Sequence, residues 1–467
     1  MHMAGFKSSS LRQAWLGVAL AAFALARLGS PLEDLNPQGQ AVLGVAAAGA
    51  VLWISEATPI GLTAIIVVVL LAACPDGGIA VATRGLASEV VFFLIGAVAL
   101  GAAVEASGLA ERAARRLGRM AGGSPARLYA QMIASLPAFA LLVPSAITRN
   151  AILIPAYRDA LDRMGVAQSD RSGRMLMLAL GVLNPLASSA LLTGGLASMT
   201  AASLLGGFSW LRWFALMSVP YYALLFGGGA LLRLIVGPCE PGSGGPVAAA
   251  APRAPFSATE RKTLAVLGVT LALWMTDRLH GLSPAIPALV GAALLLAPGV
   301  GVLSWKTFEQ KLSWAMILSI GASLSLATAL TQSGAAAFLG RRLVDDLAGL
   351  ASAPDLLVVG LVAAVALVHL AITNLAACIS LLIPVAATIA RRASLDPVVC
   401  GLIVTIVVDA VILYPIQTAT NLIAYEAGYY GAADVRRFGL VMLALTTIVV
   451  LLTIPYWAWL GLRLAPT

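Results

Sequence analysis

Charge is scarce in this chain. Of 467 residues only 11% are Asp, Glu, Lys or Arg, against roughly 25% in a soluble domain. The shortfall excludes an ordinary water-soluble protein, and a hydrophobic share of 60% with a mean hydropathy of +0.94 points to an integral membrane protein. Cysteine is sparse too: Cys74, Cys239, Cys378 and Cys400 lie far apart without C-x-x-C spacing, and the 3 histidines form no cluster with them. Neither a disulfide framework nor a zinc site is indicated. None of the lysines Lys7, Lys262, Lys306 and Lys311 follows a G-x-x-x-x-G-K-[ST] loop, which excludes a P-loop for ATP. Neither H-E-x-x-H nor G-x-S-x-G occurs, so no enzyme is expected. The net charge of +8 is carried by basic residues standing singly or in pairs, which does not track a phosphate backbone, and no nucleic-acid partner is expected.

What is present are long runs of Ala, Leu, Val and Gly, too unalternating for the strands of a membrane barrel. A hydrocarbon core of about 30 Å needs roughly 20 apolar residues per helix, so the length allows about ten to twelve spans. The fold class is therefore an all-α polytopic membrane protein in contact with the lipid bilayer. Spans are read at 11–28, 40–55, 61–74 and 86–106, the first retained as a helix although Lys7 and Arg12 before it resemble the start of a signal peptide. Residues 109–120 are amphipathic. The next apolar stretch holds Pro137, Pro144, Pro155 and the polar patch Ser145, Thr148, Arg149 and Asn150. Helix is disfavoured at these prolines and exposed loop cannot face lipid, so a re-entrant hairpin over 126–165 is expected. A broken helix over 175–206 carries Ser188-Ser189 and Thr193-Gly194-Gly195; a span near 213–232 and a Pro/Gly/Ala linker over 237–259 follow.

Beyond the linker the order repeats. Leu52-Trp53 and Pro59 return as Leu273-Trp274 and Pro284. Phe93-Leu94-Ile95-Gly96, Ser107-Gly108 and Arg115-Arg116-Leu117 return as Leu318-Ser319-Ile320-Gly321, Ser333-Gly334 and Arg341-Arg342-Leu343. A second hairpin, 352–393, carries Thr373-Asn374 and ends Leu382-Ile383-Pro384 as the first ends Leu153-Ile154-Pro155. A second broken helix, 398–430, contains Gln417, Thr418, Thr420 and Asn421. An odd number of spans between Trp53 and Trp274 makes the halves, 37–236 and 260–467, an inverted repeat after a first helix at 1–36. The excess of Lys and Arg in alternate loops places the N-terminus in the cytoplasm and the C-terminus outside.

Inverted repeats with paired interruptions mark secondary transporters, whose sites lie where broken helices meet. An interrupted helix offers N–H groups suited to an anion and carbonyls suited to Na⁺. The stretches Trp53-Ile54-Ser55-Glu56-Ala57-Thr58-Pro59, the Ser145 hairpin and Thr420-Asn421-Leu422-Ile423-Ala424-Tyr425 resemble the divalent anion:sodium symporter family, which holds dicarboxylate, citrate and sulfate carriers. The resemblance covers nearly the whole chain. It implies about eleven spans plus two re-entrant hairpins, an inner-membrane homodimer, Na⁺ as coupling ion and an elevator-type movement. In the family each hairpin tip carries Ser-Asn-Thr; here the tips read Ser145-Ala146-Ile147-Thr148 and Thr373-Asn374-Leu375-Ala376, so neither is intact.

On that basis Ser145, Thr148, Arg149, Thr373, Asn374, Thr200 and Asn421 are the candidate substrate contacts. Na⁺ sites are expected near Ser145, Asn150, Thr193, Gly194, Ser198, Asn374, Thr418 and Thr420. Ionisable residues at membrane depth are functional candidates. Arg149 has three open roles: pairing with a carboxylate or sulfate, supplying the charge of a missing Na⁺, or bonding backbone carbonyls. Asp409 can pair with Arg149, ligate a cation or take a proton, and His369 is a second coupling candidate. The expected function is Na⁺-coupled symport of a small divalent organic anion, a C4-dicarboxylate or citrate-like acid. The alternative is a proton-coupled or exchange anion carrier, sulfate included, in which Arg149 and Asp409 replace some sodium chemistry. A transporter-like anion receptor is the lesser reading, since a receptor is expected to carry a soluble signalling domain.

Overall fold

The computed structural model describes residues 9–55, 57–143, 145–239, 255–346, 354–372 and 374–465. All regular structure among them is helical, as the unalternating apolar runs require. Seven helices are long and apolar enough to cross a membrane: Ser10–Leu28, Pro37–Ser55, Glu89–Ser107, Trp210–Val236, Trp314–Gln332, Leu375–Arg392 and Ala432–Trp459. Shorter apolar helices stand at Ile60–Ala72, Ala285–Leu296, Asp355–Ala371 and Pro397–Ala410. Ile60–Ala72, at 13 residues, is only about 20 Å long at 1.5 Å per residue. The protein is an all-α, multi-pass membrane protein.

Two expectations need correcting. Pro137 and Pro155 do not interrupt the chain; they lie inside Pro125–Leu142 and Ala146–Arg163, as Pro384 lies inside Leu375–Arg392. A membrane helix tolerates proline because neighbouring groups re-satisfy the freed carbonyl. The first hairpin breaks instead at 143–145, where Val143 and Ser145 are extended. The first broken helix is open at 190–195, slightly ahead of the expected 193–198, because Ser198 already belongs to Leu196–Leu204.

The chain forms two compact units that each draw on both sequence halves. The first comprises Met1–Val91, Ser313–Val404 and Leu462–Thr467; the second comprises Phe92–Leu312 and Thr405–Gly461. In the first, Ser9–Leu28 lies along Pro37–Ser55, close enough that a Cβ on Gly44 meets Phe23 and Ala26. A 3-10 turn, Arg84–Ala87, abuts Trp314–Gln332: the Gly85 N–H donates to Ser325 Oγ at 2.9 Å, and a Cβ on Gly85 would strike the Gly321 carbonyl. The second hairpin, Pro354–Ala371 and Leu375–Arg392, belongs to this unit.

The second unit holds the first hairpin, the first broken helix (Arg171–Val182, Asn184–Ser189 and Leu196–Leu204) and the second broken helix from Thr405 onward. Amphipathic Leu109–Met120 is pinned at its polar face by Arg112, whose Nε and Nη2 donate to Glu260 at 2.5 and 2.8 Å. Glu260 also closes a capping box with Ser257 at the start of Ala258–Met275. A bidentate pair with one partner largely shielded from water is worth more than an exposed ion pair. Elsewhere Ala432–Trp459 passes directly over the second break, where a Cβ on Gly439 would overlap the Ile412 carbonyl.

That close approach generates a test. Gly439→Ala pushes a methyl into fixed backbone, an overpacking cost of about 1–3 kcal/mol, and should lower the thermal midpoint of the detergent-solubilised protein. Gly268→Ala, where nothing lies within 4 Å, should leave the midpoint unchanged or raise it through helix propensity. Equal midpoints for both variants would contradict the packing.

Candidate substrate and cation site

Ser145 begins the helix Ala146–Arg163 as its N-cap, with Oγ accepting from the Thr148 N–H at 3.2 Å. One turn on, Arg149 turns into the protein and is only 1% exposed. Its Nη1 donates to the Val143 carbonyl at 2.7 Å, closing the hairpin break upon itself. Its Nε donates to Asn184 Oδ1 at 2.7 Å, and Nη2 donates to the Asn184 carbonyl and to Ser188 Oγ, both at 2.9 Å. Desolvating such a charge costs several kcal/mol; hydrogen bonds from a charged donor, each worth about 1.5–3 kcal/mol, offset it. Of the roles open to Arg149, the contacts supply the bonding to backbone carbonyls directly.

Asn184 carries the network onward. Its Nδ2 donates to the Ala146 carbonyl at 3.0 Å and to Asn150 Oδ1 at 2.7 Å. Asn150 Nδ2 then donates to the carbonyls of Leu180 and Thr420, each at 3.0 Å. Hairpin tip, first broken helix and second broken helix are thus tied by one buried run of amides and a guanidinium. Asn150 and Asn184 are both fully buried, so every polar atom left unpaired would be costly.

Each break has its own props. In the first, a Cβ on Gly194 would collide with the Ser188 carbonyl, so only glycine fits. Thr193 Oγ1 accepts from Trp210 Nε1 at 3.0 Å, and Ser198 Oγ donates to the carbonyls of Leu192 and Gly195 at 3.0 and 3.1 Å. Thr200 is buried, and its hydroxyl has no partner among the described residues. In the second break the helix stops at Ala410 and resumes at Ala419. Gln417 bridges the gap: its Oε1 accepts from Leu413 N–H at 2.7 Å and its Nε2 donates to the Val411 carbonyl at 3.0 Å. Thr418 Oγ1 caps Asn421, whose Nδ2 donates to the Pro415 carbonyl at 3.2 Å while Tyr430 O–H donates to Asn421 Oδ1 at 2.8 Å. Gly181 makes room for that pair, since a Cβ there would lie 2.6 Å from Tyr430 Oη. Asp409, just before the break, accepts from Tyr221 O–H at 2.7 Å.

The structure therefore brings Ser145, Thr148, Arg149, Asn150, Thr420 and Asn421 into linked segments of the second unit, with Thr193, Gly194, Ser198, Thr200, Thr418 and Asp409 on the same broken helices. Asn374 lies in the first unit, where its Oδ1 caps Ala377 N–H at 3.0 Å and its Nδ2 donates to Ser319 Oγ at 2.7 Å. His369, fully buried, shares a hydrogen bond of 3.1 Å between Nδ1 and the Ile372 carbonyl at the same tip. Thr373 lies outside the described residues. Sequence reasoning missed Asn184 and Gln417 as network members. The dipeptide Asn184-Pro185 inside an apolar run was the available signal, since a buried amide beside a helix breaker must find partners.

Helices that stop at membrane depth, with side chains holding the open backbone, define a secondary transporter: such backbone is tolerated only where protein buries it or it lines a cavity. The chain belongs to the family described as the sodium:sulfate symporter transmembrane region, whose model matches residues 12–463. This is the divalent anion:sodium symporter family that the sequence resembles, and the protein is a membrane transporter of anions, not an enzyme. A relative described as a membrane protein from Cupriavidus necator is 26% identical, matching 92% of this chain and 89% of its own. The L-tartrate/succinate antiporter of Escherichia coli K12 is 28% identical over 80% of each chain. The solved YdaH transporter of Alcanivorax borkumensis shares the fold, with a TM-score of 0.56 at 16% identity, covering 98% of this chain and 99% of that one.

Removing one partner from a buried charged network costs more than replacing both. Asn184→Leu strands the Arg149 Nε–H and should destabilise the detergent-solubilised protein by about 2–4 kcal/mol. Arg149→Met combined with Asn184→Leu should recover part of that loss. Strictly additive losses in a double-mutant cycle of unfolding midpoints would show that the two side chains are not coupled.

Proposed function

We propose that this protein carries a divalent organic anion, a C4-dicarboxylate or citrate-like acid, across the inner (plasma) membrane together with Na⁺. The observation that carries the reading is the chemistry gathered by the buried network: neutral oxygens and helix N-termini beside one fixed positive charge. Hydroxyl, amide and carbonyl oxygens at Ser145, Asn150, Thr193, Gly194, Ser198, Thr418 and Thr420 suit a hard alkali cation. Among the described residues no three His, Cys, Asp or Glu side chains gather to hold a divalent metal. The N-terminal turns at Ala146 and Leu196 favour negative charge.

Ser145 is the direct substrate contact in this reading: its Oγ caps Thr148 as an acceptor, and its hydrogen is available to a carboxylate. Thr148, Thr200 and Asn421 are proposed as further contacts, and Thr373 and Asn374 as those of the second tip. Arg149 acts at one remove. At an effective permittivity of about 20, a unit charge some 8 Å from a dianion contributes roughly 4 kcal/mol of attraction, and it disfavours a nearby Na⁺ by about half as much. The guanidinium thus stands in for part of the cation charge, and fewer Na⁺ ions are needed per anion. The halves 37–236 and 260–467 are proposed as inverted repeats, with the N-terminus cytoplasmic, the C-terminus outside, and an elevator-type movement in a homodimer.

Exchange is the second reading. A fixed cation, two incomplete tip motifs and the antiporter name of the Escherichia coli relative favour it. There Asp409, hydrogen-bonded to Tyr221, and His369 are the candidates for proton coupling.

Uptake of labelled succinate, citrate and sulfate into proteoliposomes separates these readings. An inward Na⁺ gradient should stimulate succinate or citrate uptake several-fold, and Ser145→Ala should raise KM roughly tenfold, the worth of one hydrogen bond to a charged group. Uptake driven by internal dicarboxylate and indifferent to Na⁺ would replace symport by exchange. No anion uptake under either gradient or counter-loading would remove the carrier assignment.

A further inference from the structure

Three helix ends of the second unit meet at a basic cavity that neither broken helix uses. The start of Arg171–Val182, the end of Trp210–Val236 and the first turn of Ala432–Trp459 enclose about 310 Å³. Arg171, Arg174 and Arg437 line it against a single carboxylate, Asp434, and half-buried Ile235 and Val236 supply an apolar wall. The carboxylate does not neutralise the cluster. Asp434 Oδ2 accepts from the Gly431 N–H at 2.8 Å as the helix cap, and its Oδ1 stands 3.8 Å from Arg174 Nη1, beyond hydrogen-bond reach. Arg174 Nε is buried and has no hydrogen-bond partner among the described residues. Arg171 and Arg174 also stand in the first turns of their helix, where the dipole disfavours positive charge. Nothing inside the protein rewards two arginines there; an external anion does.

We propose that this cavity binds the phosphodiester headgroup of an anionic phospholipid, with the glycerol and upper acyl chain lying along Ile235 and Val236. Guanidinium forks match phosphate oxygens in pairs. The apolar wall favours a lipid over a free anion, and it continues on the same helix into Leu234, which is 77% exposed. Basic pockets at the ends of membrane helices are established sites for acidic lipid headgroups. The site rests on residues separate from the interruptions, so it stands or falls independently of the transported substrate.

Native mass spectrometry of the protein from mixed micelles of phosphatidylglycerol and phosphatidylcholine tests it. The unmodified protein should retain phosphatidylglycerol in preference, and inorganic phosphate at millimolar concentration should not displace it. Arg171→Gln with Arg437→Gln should weaken retention about 30-fold, taking each arginine near the headgroup at about fivefold, whereas Arg171→Lys with Arg437→Lys should keep most of it. Equal retention of the two lipids by the unmodified protein overturns the proposal even if the glutamine variant fails to fold. So does an undiminished preference in that variant, or full displacement by inorganic phosphate, which would mark a site for free anions.

Discussion

A positive charge removed from water at membrane depth must be answered from within, and Arg149 is answered by backbone. Its guanidinium closes on the Val143 carbonyl in its own hairpin, on the Asn184 carbonyl and side chain, and on Ser188. Those carbonyls are exposed to bonding because the helices stop there. The charge therefore holds open the irregular backbone that in turn makes the charge tolerable, and each would be costly without the other. The amides of Asn184 and Asn150 extend this mutual dependence to Thr420 on the second broken helix.

Such a core has a consequence for transport. A carrier needs unpaired polar backbone near its ligand, yet it must not collapse to a continuous helix when empty. Gln417 and Ser198 solve this locally, each occupying carbonyls at the edge of a break. Gly194 and Gly181 permit approaches that a Cβ would forbid. The breaks are thereby built into the empty protein, and ligand binding does not have to unwind helix. Preorganisation of this kind leaves more of the binding energy for the ligand itself.

Much of this was legible in the sequence. Apolar runs of span length located the helices, and Ser145, Thr193, Thr418 and Asn421 stood out because polar residues within such runs must have a use. The errors have physical causes. Pro137 and Pro155 read as breaks, but one missing hydrogen bond is tolerable inside a packed helix. Asn184 and Gln417 escaped notice because their importance lies in partners distant in sequence, which hydropathy does not register. Arg149 was recognised as costly, but whether a buried cation faces a ligand or its own backbone depends on side-chain direction, which a periodic pattern does not encode. Thr373 and the second tip could be placed only by resemblance.

The central claim is that Arg149 is a strut of the second unit and not a hand that grasps the substrate. An experimental structure of the protein saturated with succinate and Na⁺ tests it most directly. The account predicts anion density beside the Ser145 hydroxyl, with the guanidinium still bonded to Val143, Asn184 and Ser188. A guanidinium released from Asn184 and paired in bidentate fashion with the anion would contradict it.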